Sequence, residues 1–257
     1  MADAVSVFPD GSRVPASREW VPEAPVALEF NGLSYAVMMA TPADLEDFAT
    51  GFALTEGLIS SPVEIVDLGI AEVDLGWIVR ATIMGEQPEK LAERARARVA
   101  ESSCGLCGIE NLEALARPLP QVATHRATEP DAVFSALTEL QLRQHLGAAT
   151  GAAHAAAFVE PDSTLICVRE DVGRHNALDK LIGAMARKGK PVGAGFVLST
   201  ARCSYEIVEK AVRAGATCVV TISLPTSLAV ERAKAAGLSL WALARDDSVL
   251  LVNDASA

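Results

Sequence analysis

Aromatic residues are scarce in this chain: they make up 5% of its 257 residues, whereas apolar residues as a whole make up 50%. Ala, Val and Leu supply most of the apolar side chains, a composition that favours helices packed on a sheet over an aromatic-rich β-sandwich. No apolar run reaches the ~18 residues of a membrane-spanning helix. The sequence therefore predicts one large or two small domains and no membrane span.

Positive charge is also in deficit, since the formal net charge is −11 at pH 7. This balance argues against a protein that binds nucleic-acid polymers, because such binding depends on an excess of Lys and Arg. The first residues have neither the basic start nor the apolar stretch of a signal peptide. We therefore expect a cytoplasmic protein with reduced thiols.

Cysteine is too sparse for a disulfide framework. The five cysteines are an odd number spread between Cys104 and Cys218, whereas small secreted scaffolds carry an even number at short spacings. Cys167 and Cys218 lie within apolar stretches, where cysteine behaves as a small hydrophobic residue, so we predict core positions for both. Cys203 lies in a polar stretch, and its role stays open.

The remaining two cysteines form the most reactive pattern in the sequence. Cys104 and Cys107 lie three residues apart, with glycines beside them. Glycine lets other groups approach the sulfur, and the amides that begin the next helix favour a nucleophilic thiolate. A zinc site would need further ligands, and no second Cys-x-x-Cys exists. A thioredoxin-type pair would follow a strand rather than a charged helix. We expect a reactive pair and no structural metal.

Changes in pattern divide the chain into three parts. Residues 1–22 have no apolar period and are predicted to be a flexible lead-in. Residues 23–128 form a smaller N-terminal α+β part that carries the cysteine pair, and residues 129–257 form a C-terminal α/β domain. In the N-terminal part, Asn31-Gly32 predicts a hairpin turn. Thr41 is predicted to cap a helix with Pro42 in its first turn, and a second strand pair is expected between Val63 and Met84.

The C-terminal domain is marked by regular alternation of strands and helices. Three strand-loop-helix units follow one another between residues 164 and 237, and a further strand closes the series. Such units require crossover connections, so the fold class is α/β, with a mixed, largely parallel sheet and flanking helices. In such sheets ligands bind beyond the carboxyl ends of the strands.

The first loop at these strand ends carries Arg174 and His175 directly before a helix, where the N-terminus attracts anions. Asn176 is predicted to cap that helix, with Asp179 as the acidic half of a capping box. The next two loops add hydroxyl groups and one arginine. Hydroxyl groups commonly cap helices at such places, but three polar loops on one edge favour a shared anion cleft. Its candidate residues are Arg174, His175, Ser199, Arg202, Ser223, Thr226 and Ser227.

Two further observations concern this cleft. Residues 165–215 contain nine basic and five acidic residues, so this block is positive within an acidic chain and suits a phosphorylated small molecule. His154 lies among small residues, which would allow a ligand to approach closely. A tightly packed strand with one hydrogen-bonded histidine explains the same residues, and the residues alone favour that interpretation.

Several motifs resemble those of the formate dehydrogenase accessory sulfurtransferase family, FdhD. They are CGLCG at residues 104–108, TGAAHA at 150–155, REDVGRHNALDK at 169–180 and PTSLAVE at 225–231. The stretch between Thr41-Pro42 and Thr55-Glu56-Gly57 is similar as well. The likeness runs in order through residues 25–245, and the block of twelve residues around His175 is its most specific part.

The resemblance implies a homodimeric sulfurtransferase with a cytidine-deaminase-like fold. It would receive sulfur from a cysteine desulfurase as a persulfide on Cys104, with Cys107 as assistant or relay. It would pass the sulfur to the bis-molybdopterin guanine dinucleotide cofactor, a bound substrate, on which formate dehydrogenase depends. The resemblance also implies that the cofactor contacts the stretch after the last strand. The predicted contacts are His154, Arg174, His175, Ser199, Arg202, Ser223, Thr226, Ser227, Ala242, Leu243, Ala244, Arg245, Asp246 and Asp247.

Two functions of other classes compete with this one. The chain could be a non-catalytic carrier that shields the cofactor, with structural cysteines, or a dithiol redox protein. Deaminase chemistry is not expected, because it needs a His-x-Glu followed by Pro-Cys-x-x-Cys, whereas His154 is followed by two alanines. The chain also departs from the family after the last strand, where Asp246 and Asp247 would repel a phosphate group.

Overall fold

The structure is a computed structural model that describes residues 2–85, 91–92 and 118–256. Cys104 and Cys107 lie outside the described residues. The described strands and helices are, in chain order, β1 (Ala2–Val7), β2 (Arg13–Arg18), β3 (Ala24–Phe30), β4 (Leu33–Ala40), α1 (Leu45–Thr55), β5 (Ile65–Val73), β6 (Gly76–Ile83), α2 (Pro130–Arg143), α3 (His145–Thr150), β7 (His154–Val159), β8 (Leu165–Asp171), α4 (Arg174–Arg187), β9 (Phe196–Ser199), α5 (Tyr205–Arg213), β10 (Cys218–Thr221), α6 (Ser227–Ala236), β11 (Ser239–Ala242) and β12 (Leu250–Asn253). No described helix is long and apolar enough to cross a membrane.

The first 22 residues contain a hairpin that the sequence did not indicate. β1 and β2 pair antiparallel from Ala2 opposite Arg18 to Val7 opposite Arg13. Val5 and Val14 remain exposed to solvent on this hairpin. Because the hairpin contributes no buried face, its residues lack the alternation that normally reveals a strand.

The N-terminal part contains a four-stranded sheet in the order β4-β3-β6-β5. Asn31 and Gly32 join β3 to β4 with φ values of 50° and 79°, which confirms the predicted hairpin turn. The predicted second strand pair is confirmed as β5 and β6. One face of the sheet packs against α1 through a cluster of aromatic rings that includes Phe30, Phe48 and Phe52.

The predicted cap of α1 is wrong. The helix begins at Leu45, and Asp44 occupies the N-cap position without a side-chain hydrogen bond. Thr41 instead contacts the C-terminal domain: its amide donates to Asp171, and its hydroxyl oxygen accepts a hydrogen bond from the amide of Val172. The local sequence predicted a cap because Thr-Pro commonly opens a helix. In the structure Thr41 instead bonds to Asp171, 130 residues away.

The C-terminal domain is built on a six-stranded mixed sheet in the order β12-β11-β10-β9-β7-β8. Four strands, β8 to β11, run in the same direction, while β7 and β12 run opposite to their neighbours. This arrangement confirms the α/β class and a mixed sheet, although two of its five strand pairs are parallel and three are antiparallel. Helices α4, α5 and α6 cover one face, and α2 covers the other. β7 begins at His154 and is buried from Ala155 to Val159, which confirms the tightly packed strand that the small residues around His154 favoured.

Two glycines allow α1 and α4 to cross at backbone contact. A Cβ atom built on Gly51 would lie 1.7 Å from the carbonyl oxygen of Asp179. A Cβ atom on Gly183 would lie 1.9 Å from the carbonyl oxygen of Asp47. No side chain fits at either position, so the glycines fix how closely the N-terminal part packs on the C-terminal domain.

Candidate functional site

The predicted polar loops lie along one edge of the six-stranded sheet. The carboxyl ends of β8, β9, β10 and β11 all face this edge, and β7 enters the sheet there with His154 paired to Asp171. Backbone hydrogen bonds connect neighbouring loops: the amide of Ile222 donates to Ser199, and that of Thr226 donates to Cys203. The structure therefore brings the three loops together as the parallel arrangement predicted.

The N-terminus of α4 is open in the described structure. Gly173 occupies the N-cap position and offers no side-chain cap. The first helical hydrogen bond runs from the amide of Ala177 to the carbonyl of Gly173, and the amides of Arg174 and His175 donate to no other described residue. Oriented amides at the positive end of a helix dipole form a site for an anion.

Asn176 does not cap this helix, so that prediction is wrong. Its side-chain amide donates to the carbonyl of Met39 and to the carboxylate of Asp171. Asp179 does not complete a capping box either, because it accepts hydrogen bonds from Thr55 and from the ammonium group of Lys210. Asn176 and Asp179 therefore bond to other side chains and to distant residues instead of to the amides at the helix end.

Arg174 provides an unpartnered hydrogen-bond donor beside this helix end. Its Nε atom is buried and has no hydrogen-bond partner among the described residues. A buried N–H group without an acceptor costs free energy, and native proteins rarely leave one unpaired. A phosphate or carboxylate oxygen at the α4 N-terminus would satisfy this group.

His175 is paired with an acidic residue that the sequence did not single out. Its Nε2 atom lies 2.8 Å from the Glu206 carboxylate and 3.4 Å from the Ser204 hydroxyl. The hydrogen bond from His175 holds the pKa of Glu206 below its usual value. Glu206 occupies the second position of α5, as His175 does in α4. The equivalent positions of His175 and Glu206 in their helices are the sequence feature that could have pointed to Glu206.

His154 completes a basic group at this edge, which we call the His154–Arg174–His175 cluster. Burial lowers the pKa of His154 below its usual value, and the positive charges of Arg174 and His175 add to the effect. The Arg174 guanidinium carries a positive charge that a bound anion would compensate. The cluster and the open helix end therefore favour the same class of ligand.

The lowered pKa of His154 predicts a pH dependence of stability. The unfolded chain takes up a proton on this histidine near pH 6.5, whereas the folded chain does so only at lower pH. Stability from this residue is therefore complete above about pH 6.5 and falls as the pH drops toward the folded-state pKa. We expect His154→Gln to reduce the loss of unfolding free energy between pH 7 and pH 5, as measured by urea titration.

The exposed His145 provides the matched control for that measurement. His145→Gln should keep the pH dependence of the parent protein, since its side chain lies outside the cluster. Identical pH profiles for the parent and His154→Gln would contradict the assignment of this electrostatic role to His154.

Two of the predicted hydroxyl groups, those of Thr226 and Ser199, have local partners. Thr226 caps α6 by accepting a hydrogen bond from the amide of Ala229, so the capping interpretation is correct for this residue. The Ser199 hydroxyl is buried and accepts from the amide of Ala201. Arg202 and Ser227 are exposed at the same edge, where a ligand can reach them.

The stretch after β11 lies at the far end of this edge. Ala242 and Ala244 are buried, and Leu243 between them has a φ of 49°. The Arg245 guanidinium donates to the carbonyls of Ile222 and Ala244, so backbone groups of the protein hold this side chain. The exposed Asp246 and Asp247 line a pocket of about 590 Å³ beside α2.

Internal ion pairs correct the interpretation of the basic block. Five of its nine basic residues form salt bridges with carboxylates rather than lining a cleft: Arg169, Lys180, Arg187, Lys190 and Lys210. Two others, Arg174 and Arg202, lie at the carboxyl edge. The positive count along the sequence therefore overstated the charge of the site, because sequence proximity says nothing about pairing.

The three described cysteines are all buried. The predicted core positions of Cys167 and Cys218 are confirmed, and Cys203 is fully buried as well. Burial raises the pKa of Cys203 and of Cys218 to about 12, so both thiols stay protonated at neutral pH. Since the thiolate is the nucleophile, neither can carry sulfur readily. Cys104 and Cys107 remain the candidates for that chemistry.

Residues 21–256 match the model of the FdhD/NarQ family. The chain belongs to this family. It is 44% identical over 242 residues to the sulfur carrier protein FdhD of Cupriavidus necator, a match that covers 94% of this chain and 84% of that protein. It is 46% identical over 227 residues to the protein of the same name from Acinetobacter baylyi, covering 88% of this chain and 82% of that one.

Family membership extends to the three-dimensional structure. The crystal structure of a protein assigned as a formate dehydrogenase accessory protein from Desulfotalea psychrophila superimposes with a TM-score of 0.74 at 25% sequence identity. The match covers 98% of this chain and 96% of that one. The FdhD/NarQ assignment thus rests on sequence and on fold, and it confirms the resemblance carried by the motifs.

Proposed function

We propose that this FdhD/NarQ chain is a cytoplasmic sulfurtransferase. It takes sulfur from a cysteine desulfurase onto the Cys104–Cys107 pair and delivers it to the bis-molybdopterin guanine dinucleotide cofactor of formate dehydrogenase. The observation that carries the proposal is the buried, unpartnered Nε of Arg174 at the open N-terminus of α4. The names of the relatives, sulfur carrier protein FdhD, support the same reaction class.

Sulfur loading balances without an external oxidant. The thiolate of Cys104 attacks the outer sulfur of the donor's persulfide, so one S–S bond forms on Cys104 as another breaks on the donor. The donor cysteine leaves as a thiolate. Delivery as sulfide requires two electrons, and Cys107 supplies them when it attacks Cys104, forms a disulfide and releases hydrosulfide. A second thiol three residues away thus has a chemical purpose.

The guanine dinucleotide substrate fits the carboxyl edge through its phosphates. The open α4 amides and the buried Arg174 Nε supply donors for phosphate oxygens, and the Arg174 guanidinium supplies positive charge. Arg202 and Ser227 are exposed beside them for further contacts. Five of the nine basic residues in 165–215 pair with carboxylates, whereas Arg174 and Arg202 lie at this edge. A homodimer would present two such edges.

Loading of the thiol pair tests the proposal directly. The protein is incubated with a cysteine desulfurase and cysteine, and the intact mass and the peptide around residues 104–107 are measured. We expect a gain of one sulfur atom on that peptide, lost on treatment with a reducing agent. Cys203→Ala, which changes only a buried thiol, should load as the parent does. Failure of the 104–107 peptide to gain sulfur rejects sulfur transfer through this pair.

A further inference from the structure

Lys180 and Asp171 form an ion pair that is removed from water. Both side chains are 0% exposed, and the Lys180 ammonium nitrogen lies 2.6 Å from the carboxylate of Asp171. Burying two charges costs desolvation energy that their attraction barely repays, so well-packed apolar residues would stabilise a core equally well. The value of such a pair lies in the geometry it imposes on the groups around it.

The Asp171 carboxylate uses both oxygen atoms to hold the chain that leads into α4. Oδ1 accepts hydrogen bonds from the amide of Gly173, at 2.7 Å, and from the side chain of Asn176, at 3.0 Å. Oδ2 faces Lys180 and accepts from the amide of Thr41 at 3.0 Å. Among the described partners of this carboxylate, Lys180 is the charged one, and the amides of Thr41 and Gly173 and the Asn176 side chain are neutral donors.

Thr41 links this pair to the N-terminal part of the protein. Its carbonyl oxygen accepts a hydrogen bond from Lys180 at 2.9 Å, and its hydroxyl oxygen accepts one from the amide of Val172 at 3.1 Å. Asn176 adds a second connection, since its side chain donates to the carbonyl of Met39. The end of β4 is thereby tied to the segment that opens α4.

We call Val172 and Gly173 the α4 turn. The amides of both residues donate hydrogen bonds in these contacts, to Thr41 and Asp171. The next amides, of Arg174 and His175, have no partner among the described residues and remain for a ligand. If the α4 turn rotated, its own amides would compete for the anion, and the Arg174 side chain would change direction. The orientation of the helix end therefore depends on the buried pair behind it.

We propose that Lys180 and Thr41 are positioning residues for the anion site. Lys180 holds the Asp171 carboxylate in place through their ion pair, and Asp171 together with Thr41 holds the α4 turn in the orientation that presents the Arg174 and His175 amides. This inference rests on the proposed function only for the choice of GDP as a probe of the guanine nucleotide end of the substrate. Neither residue contacts the ligand itself.

The test compares four variants of the full chain. Lys180→Met removes the buried ammonium group but keeps most of the side-chain volume, and Lys190→Met removes an exposed partner of Glu160 as a control. Thr41→Val removes the hydroxyl acceptor, and Thr41→Ser restores it. Two quantities are measured: GDP affinity by calorimetry well below the unfolding midpoint, and hydrogen exchange of the Val172 and Gly173 amides by NMR.

We expect Lys180→Met to bind GDP about tenfold more weakly or worse, as follows from the loss of positioned hydrogen bonds. In Lys180→Met, hydrogen exchange at the Val172 and Gly173 amides should accelerate more than exchange at the other amides of the protein. Thr41→Val should show a smaller effect of the same kind, while Thr41→Ser and Lys190→Met behave as the parent. If Lys180→Met does not fold, the comparison of Thr41→Val with Thr41→Ser decides the question.

Each contrary result has a distinct meaning. Unchanged GDP affinity in folded Lys180→Met and Thr41→Val overturns the positioning role, even if their melting temperatures fall. Weaker binding with unchanged exchange of the two amides overturns it as well. If the parent protein does not bind GDP at all, the proposed ligand is wrong, and the exchange rates alone then decide whether these residues hold the α4 turn.

Discussion

Cys104→Ala is expected to abolish the activation of formate dehydrogenase, down to the level of cells that lack this protein. The reason is that persulfide transfer has no route without the attacking thiolate. Formate dehydrogenase activity in a complemented deletion strain measures the effect. Cys203→Ala should retain activity near that of the parent, because the buried Cys203 thiol has a pKa raised to about 12 and is not a nucleophile.

The same strain separates sulfur transfer from a carrier role. A carrier that only shields the cofactor would activate formate dehydrogenase even with Cys104 and Cys107 both replaced by alanine. Activity of that double variant would reject the sulfurtransferase in favour of the carrier. Loss of activity together with retained GDP binding would reject the carrier, since the binding site would then be present and insufficient.

Gly183→Ala is expected to destabilise the protein strongly. The added Cβ atom would lie 1.9 Å from the carbonyl oxygen of Asp47, a backbone atom that cannot move without separating α1 from α4. We expect a loss of about 3–5 kcal/mol in the free energy of unfolding. The unfolding midpoint, measured by calorimetry, should fall by roughly 10 °C.

Gly69 supplies the control for this crossing. It lies in β5 with no atom within 4 Å of a Cβ position, so Gly69→Ala should change stability by less than about 1 kcal/mol. Gly51→Ala should resemble Gly183→Ala, and the double variant should lose less than the sum, because both methyl groups separate the same two helices. Equal midpoints for Gly183→Ala and Gly69→Ala would show that the helices are not in backbone contact.

Some of the candidate site follows from sequence, because the relevant signals are local. The strand-loop-helix units placed Arg174, His175 and the later polar loops at the carboxyl ends of strands, and the sheet directions bring those ends to one edge. The hairpin at Asn31-Gly32 followed from backbone conformations that few residues adopt. The core positions of Cys167 and Cys218 followed from their apolar neighbours.

Other predictions failed where a polar side chain has a distant partner. Thr41 and Asn176 both matched the pattern of a helix cap, yet each bonds to groups more than 100 residues away. Five residues of the basic block form salt bridges with carboxylates, and the partner of Arg169 and Arg187, Asp47, is also more than 100 residues away. A capping motif or a charge count describes what a residue can do locally. In the folded protein, buried polar groups need hydrogen-bond partners, so a polar side chain can pair with a distant buried group instead of a local one.

By itself, the sequence determined the α/β class and the family, and it singled out the sheet edge and the pair of thiols on which the proposed function rests. Those properties depend on periodicity, on motif spacing and on the chemistry of single side chains. Only the tertiary structure decided that Glu206 faces His175, that Lys180 and Asp171 support the α4 turn, and that two glycines set the distance between α1 and α4. These are contacts between segments far apart in the chain, and their geometry exists only once the core has packed.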